Sequence, residues 1–400
     1  MRILEIVPFK PISLKTLLGF EKNSLNLFMA FLVVSFLVLL GVGASMYLLH
    51  GHHVFNVTRE HPWGLLIAMY IFFVVSSTGL CIISSFGHVF GIKEFEIIGK
   101  RAIVGAIVTI LSGFAVISME IGHPIRMVIY NILSPGFTSA IWWMGTLYGG
   151  YLVCIIFELI FLLRNDHKYA KIFGVAGLIV GIAAHSNLGG VFGFLIARPI
   201  SNGIFFPVYF ILSAMITGSY LLFLMQGFRY KMEFPQDIKA MLEKLANVLM
   251  ILLLILVFFE IWRMLTAYYG GMPERAEVAL HIIFGSNFLL GELFLGVMIP
   301  LAVLVFSQKA NKVKNMVYGA LIGMIGVFFM RYNLVHDTQL YPMQTLKTTE
   351  YQLVPTFVEY FPSFAEIAIS LGGIGLCLAM YFAADALFDL DGNEHNKETI

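Results

Sequence analysis

WGLLIAMYIFFVVSSTGLCIISSFGH, residues 63–88, runs for 26 positions without one Asp, Glu, Lys or Arg. At about 1.5 Å of rise per residue, a helix of that length exceeds the ~30 Å of hydrocarbon in a bilayer. Further apolar runs lie near residues 25–49, 101–120, 139–163, 170–185, 204–226, 245–265, 281–306, 315–333 and 365–388. The chain of 400 residues is 59% hydrophobic and 12% charged, too few polar groups to cover a water-facing surface. The prediction is an all-α integral membrane protein of about ten transmembrane helices, not a disordered or collagen-like chain. With 37 Gly residues, close helix packing is expected.

Charge placement sets the orientation. Of the 25 Lys and Arg, 18 fall in the N-terminal tail, the loops after spans two, four, six and eight, and the C-terminal tail; the other five loops hold 7. Cytoplasmic loops carry the basic excess, so both termini are expected in the cytoplasm. The polar start, with no small-residue cleavage pattern after the first apolar run, reads as an uncleaved first span. A net charge of +1 gives no footing for nucleic acid. Cys81, Cys154 and Cys377 are too scattered for a zinc site, an iron–sulfur cluster or a disulfide framework, and no C-x-x-C-H run offers haem attachment. No metal site is expected; His50, His52 and His53 share a short loop with no acid or thiol at ligand spacing.

Spans two to five and six to nine have the same inside–outside sense, which predicts two four-helix bundles flanked by spans one and ten. The chain then divides into a cytoplasmic tail (1–24), the first span with its outer loop (25–62), a first bundle carrying the candidate site (63–203), a second bundle (204–333), an outer loop (334–364) and the tenth span with a cytoplasmic tail (365–400). The stretch from Arg331 to Pro362, rich in proline, reads as a long loop suited to docking a partner.

Ionisable groups within spans are costly and usually face a bundle interior or a wet cavity. Glu120, Glu260 and Glu366 are expected near the outer ends of their spans, Glu292 at mid-depth, and Glu158 and Asp385 near the inner ends. Such graded depth suits a proton path. In Glu120-Ile121-Gly122-His123-Pro124-Ile125-Arg126, Pro124 lacks an amide donor and biases His123 away from helical angles, so the helix should open near Gly122. An acid, an imidazole and a guanidinium then meet at the membrane boundary, able to protonate or hydrogen-bond a carbonyl. In the fifth span, His185-Ser186-Asn187 followed by Gly189, Gly190 and Gly193 is expected to break the helix and turn His185 toward a polar cavity. His61-Pro62-Trp63-Gly64 opens the second span, with Tyr70 two turns deeper.

At these residues the chain resembles the NrfD-like family, the membrane subunits of polysulfide reductases and related respiratory complexes, in its ten-span branch. The resemblance is carried by Pro62-Trp63-Gly64, the Glu120–Arg126 segment, Asn131 to Ser139, and His185-Ser186-Asn187; Glu260, Glu292, Arg331-Tyr332-Asn333 and Glu366 extend it. His123 departs from the arginine of many members, and His336-Asp337 before Gln339 from a glycine pair in some. The resemblance implies a quinone-reactive subunit of a prokaryotic cell membrane, exchanging electrons between menaquinone or another quinone and an extracytoplasmic four-cluster iron–sulfur protein with further redox subunits. It implies no haem or iron–sulfur cluster in this chain. Glu120, His123, Arg126 and His185 are the candidate catalytic groups, and Trp63, Tyr70 and Asn187 the candidate quinone contacts. Glu158, Glu260, Glu292, Glu366 and Asp385 are the candidate proton path. Two other readings fit ten spans with buried acids: a secondary transporter, and a b-type cytochrome anchor with one haem between His185 and His281 or His123.

Overall fold

The computed structural model describes residues 24–342, apart from 202 and 311, together with 357–390, with side chains from residue 28 onward. The expected N-terminal tail, the end of the C-terminal tail and residues 343–356 of the 334–364 loop lie outside the described residues. Ten helices are long and apolar enough to cross a bilayer: α1 Ser24–His50, α2 Leu65–His88, α3 Gly99–Glu120, α4 Ala140–Leu163 and α5 His167–Gly193. They continue as α6 Phe205–Arg229, α7 Gln236–Tyr269, α8 Asn287–Lys309, α9 Val313–Asp337 and α10 Phe364–Leu387. No β-strand occurs among the described residues. Helix is the solution lipid imposes, since it satisfies backbone polar groups within the segment. Side chains cap several starts: Ser139 accepts from Trp142 N, Asp166 from Tyr169 N, and Ser363 with Glu366 forms a capping box.

Helices α2 to α5 close one bundle and α6 to α9 a second. They meet where α2 and α5 pack on α6 and where α2 packs on α9, so α2 is the most enclosed helix. Its fit against α6 depends on Gly79: a methyl group there would lie 2.8 Å from Gly218 N and overlap the Ala214 carbonyl. The two remaining helices flank this pair of bundles together. Helix α1 packs on α10, and α10 on α3 and α2, so both lie against the first bundle.

Two expectations need correction. Helix α5 is not broken after His185 but continues to Gly193. Its glycines serve packing instead: a methyl on Gly189 would lie 2.7 Å from Phe206 O, and one on Gly193 2.7 Å from Gly203 O, where the chain enters α6. The run from Arg331 does not begin a loop either; α9 carries it to Asp337, with Arg331 wholly buried.

The eighth span starts later than expected. A separate helix, Pro273–Phe284, precedes it, and α8 begins at Asn287 with a π-helical segment to Met298 before reverting to α-helix. Pro300 explains the irregularity, since it cannot donate to the carbonyl of Gly296. The Tyr220 hydroxyl takes that place, donating to Gly296 O at 2.9 Å. The later start puts Glu292 five residues below the top of α8 rather than at mid-depth.

Candidate functional site

Helix α3 ends at Glu120, His123 adopts φ −137° and ψ 69°, and Pro124 occupies the first turn of a new ten-residue helix, Pro124–Leu133. The helix opens as the sequence predicts. The new helix is exposed along its length, and His123, Arg126, Met127 and Tyr130 gather on one face, where they line a shallow, wide-open cleft of about 400 Å³. The Arg126 guanidinium lies 5.7 Å from the Tyr130 ring centre. No ion pair is formed between Glu120 and Arg126. Glu120 Oε2 is buried without a hydrogen-bond partner, and Glu366 is close enough to act on this carboxyl. The cleft therefore offers an imidazole, a guanidinium and a phenol just past the end of α3, three residues from an unpartnered carboxylate oxygen.

His185 lies elsewhere. Eight residues below the end of α5, about 12 Å down the helix, it is fully buried at the seam between the bundles. Its Nδ1 is hydrogen-bonded to the Tyr148 hydroxyl at 3.0 Å, and its ring meets Phe210 edge-on at 5.7 Å. Tyr70 is buried in the same interior, near Tyr148. Arg331 stands over the rings of Phe210 and Tyr209 at 5.6 and 5.9 Å. The Tyr209 hydroxyl donates to Glu292 Oε1 at 3.5 Å and Asn333 Nδ2 to Glu292 Oε2 at 3.0 Å. Glu260, nine residues before the end of α7, pairs with Arg263 at 3.2 Å. The expected group of Glu120, His123, Arg126 and His185 is thus divided between an open rim and a closed seam.

The other expected residues are placed as follows. Trp63 meets Phe192 edge-on at 5.4 Å, and its backbone is clamped by Gln339, which accepts from Trp63 N at 2.9 Å and donates to Trp63 O at 3.0 Å. Asn187 donates to Ala140 O at 2.8 Å, tying α5 to the start of α4. Glu158 is paired with His88, and Asp385 with Arg101 at 2.8 Å, both toward the opposite, lysine-bearing face. Glu366 is wholly buried and accepts from the backbone of Asn56 at 3.0 Å and Ser363 at 2.8 Å, and from the Tyr360 hydroxyl.

Beside Glu366 is a clasp that motif reading does not find. His61 Nε2 and His336 Nδ1 lie 3.0 Å apart, and the His61 ring stacks on Tyr360 at 4.3 Å. Burial, reinforced by the neighbouring His336, lowers the His61 pKa to about 4. Burial and the hydrogen bond to Glu366 raise that of Tyr360. Tyr148 and Tyr209 also escape motif reading, whereas Arg263 stands after Glu260-Ile261 as Arg126 does after Glu120-Ile121, and an arginine in an apolar helix is itself a signal of an interior polar site.

Residues 53–342 match the family described as "Polysulphide reductase, NrfD". The chain is 24% identical over 395 residues to a selenate reductase subunit of Mesobacillus selenatarsenatis, covering 88% of this chain and 91% of that one. It is 22% identical over 392 residues to the Hdr-like menaquinol oxidoreductase integral membrane subunit of Archaeoglobus fulgidus, covering 95% and 98%. To a protein of Halobacterium salinarum named as a putative dimethyl sulfoxide reductase membrane subunit it is 25% identical over 429 residues, covering 91% and 94%. A family match across most of the chain, on ten apolar helices, makes this a multi-pass membrane protein of the NrfD polysulphide reductase family.

Proposed function

We propose that this chain is the quinone-reactive membrane subunit of a respiratory oxidoreductase complex in a prokaryotic cell membrane. The observation that carries the reading is the cleft formed by His123, Arg126, Met127 and Tyr130, open at the lipid boundary and adjoining Glu120. The name of the archaeal relative, a menaquinol oxidoreductase subunit, supports a quinone as the substrate that enters it. Interconverting quinone and quinol moves two electrons and two protons. The chain supplies the proton side: His123 and Tyr130 donate to carbonyl oxygens, Arg126 stabilises negative charge on the reduced ring, and Glu120 exchanges protons. Trp63, Tyr70 and Asn187 shape the first bundle behind the cleft, and His185 acts from the seam rather than on the head group.

The electron side belongs to an extracytoplasmic four-cluster iron–sulfur protein and further redox subunits, docked on the face that bears the cleft. With both termini cytoplasmic, as the lysine and arginine bias supports, that face is extracytoplasmic. Glu260, Glu292 and Glu366 on the cleft side, and Glu158 and Asp385 on the other, are the groups available to proton transfer between the faces. In the purified complex, Glu120→Gln should lower quinol turnover about 100-fold or more with assembly intact. A hydroxyquinoline oxide head-group competitor should inhibit the unaltered complex. Normal turnover in Glu120→Gln, or indifference to the competitor, overturns the reading.

A further inference from the structure

Arg331 is the largest side chain among the described residues with no exposed surface, and its Nε, Nη1 and Nη2 all lack a hydrogen-bond partner. A guanidinium keeps its charge at any physiological pH and carries five N–H donors. The Phe210 and Tyr209 rings beside it provide cation–π attraction but accept none of those hydrogens in ordinary geometry. Buried polar groups left unmatched by protein are the ones that internal water satisfies, provided each water finds two or more polar partners.

Those partners come from both bundles. On the first-bundle side, His185 shares the Phe210 ring with Arg331; its Nε2 is buried without a hydrogen-bond partner, and Tyr148 holds its Nδ1. On the second-bundle side, the Tyr209 ring lies under Arg331 while its hydroxyl reaches Glu292. Tyr209 and Glu292 from the second bundle and Tyr148 from the first each lie within electrostatic reach of Arg331. Besides these, Glu292 faces Glu260 and Arg263 from α7 and Asn333 and Asp337 from α9.

We infer that Arg331 anchors a buried water cluster at the seam, and that this hydrated guanidinium couples the protonation of Glu292 in the second bundle to that of His185 in the first. The two bundles are then one electrostatic unit, joined sideways through α9, rather than two independent proton-handling compartments. The inference rests on the seam alone and stands whether or not quinone binds in the Glu120 cleft.

Infrared difference spectroscopy on the purified complex in bilayers tests it, with the Glu292 carboxyl band assigned by its loss in Glu292→Gln. Exchange into 18O-labelled water should shift water bands that disappear in Arg331→Met. His185→Phe should move the titration midpoint of the Glu292 band by about one pH unit, and this shift should vanish when Arg331→Met is added. Water bands unchanged by Arg331→Met, or an equal shift in both backgrounds, overturns the inference. Should Arg331→Met fail to assemble, Tyr148→Phe removes a single oxygen from the first-bundle side. It should likewise displace the Glu292 band, and an unmoved band overturns the coupling.

Discussion

At the end of α3, His123 and Arg126 stand exposed on a ten-residue helix at the lipid boundary. Two turns down α5 and α9, His185 and Arg331 are sealed with no exposed surface at all. Both regions combine imidazole, guanidinium, phenol and carboxylate, yet they suit different tasks. At the rim each charged group meets solvent or an incoming molecule, so it can change partners at small cost. In the seam every partner is fixed by helix packing, and a change in charge at one group must be answered by another. The rim is built for exchange and the seam for coupling.

The largest expected effect separating them is at the rim. Arg126→Met should lower quinol turnover by about 100-fold, the scale of losing one charge-stabilising donor, with thermal stability unchanged because the side chain packs on little besides Tyr130. A matching loss of stability would show that the rim is as structurally committed as the seam. Next comes Tyr220→Phe in the interior. It leaves the Gly296 carbonyl without the donor that Pro300 cannot supply, and should cost about 1–3 kcal/mol of stability, read as a lower melting temperature. An unchanged melting temperature would mean that the π-helical segment satisfies that carbonyl another way.

A smaller effect should appear at the His61 clasp, which lies between the two extremes. In the folded protein His61 remains neutral down to about pH 4, while in the unfolded chain it takes up its proton near the ordinary value of 6.5. Between those values the unfolded state binds more protons, so stability should fall as pH falls through this window and level off below it. Thermal melts across the window should show this slope in the unaltered protein and a flatter one in His61→Phe; equal slopes would remove His61 as its source. The smallest effect is expected at the opposite face. Lys244 and Glu94 form an exposed 2.5 Å pair, and Lys244→Ala should leave the melting temperature unchanged within error, whereas a clear drop would contradict the contrast between exposed and buried charge.

Much of the architecture was legible in the chain because a bilayer leaves few choices. Ten long apolar runs with few interior charges can only be spans, and Pro124 after Gly122-His123 ends α3 where expected. The misreadings share one cause. Gly189, Gly190 and Gly193 look like helix breakers in isolation, but Gly189 and Gly193 are contact points against the entry to α6 that a side chain would block. Pro300 was legible as a residue and its consequence was not, because the π-helical turn depends on Tyr220 arriving from another helix. Likewise Glu120 and Arg126 are near in sequence yet do not pair, since the second helix carries Arg126 outward onto Tyr130.

The sequence by itself determined that this is a ten-span membrane protein, how its helices alternate in direction, and which residue types are too costly in lipid to be incidental. Those are properties of local composition against a fixed apolar thickness. Only the tertiary structure decided which of those residues meet. It set Tyr148 on His185, Tyr209 on Glu292, His61 on His336, and left Arg331 between the bundles without a protein acceptor. Such meetings join positions as far apart as 275 residues. They depend on the rotation and depth of each helix in its bundle, which packing sets and local hydropathy does not encode.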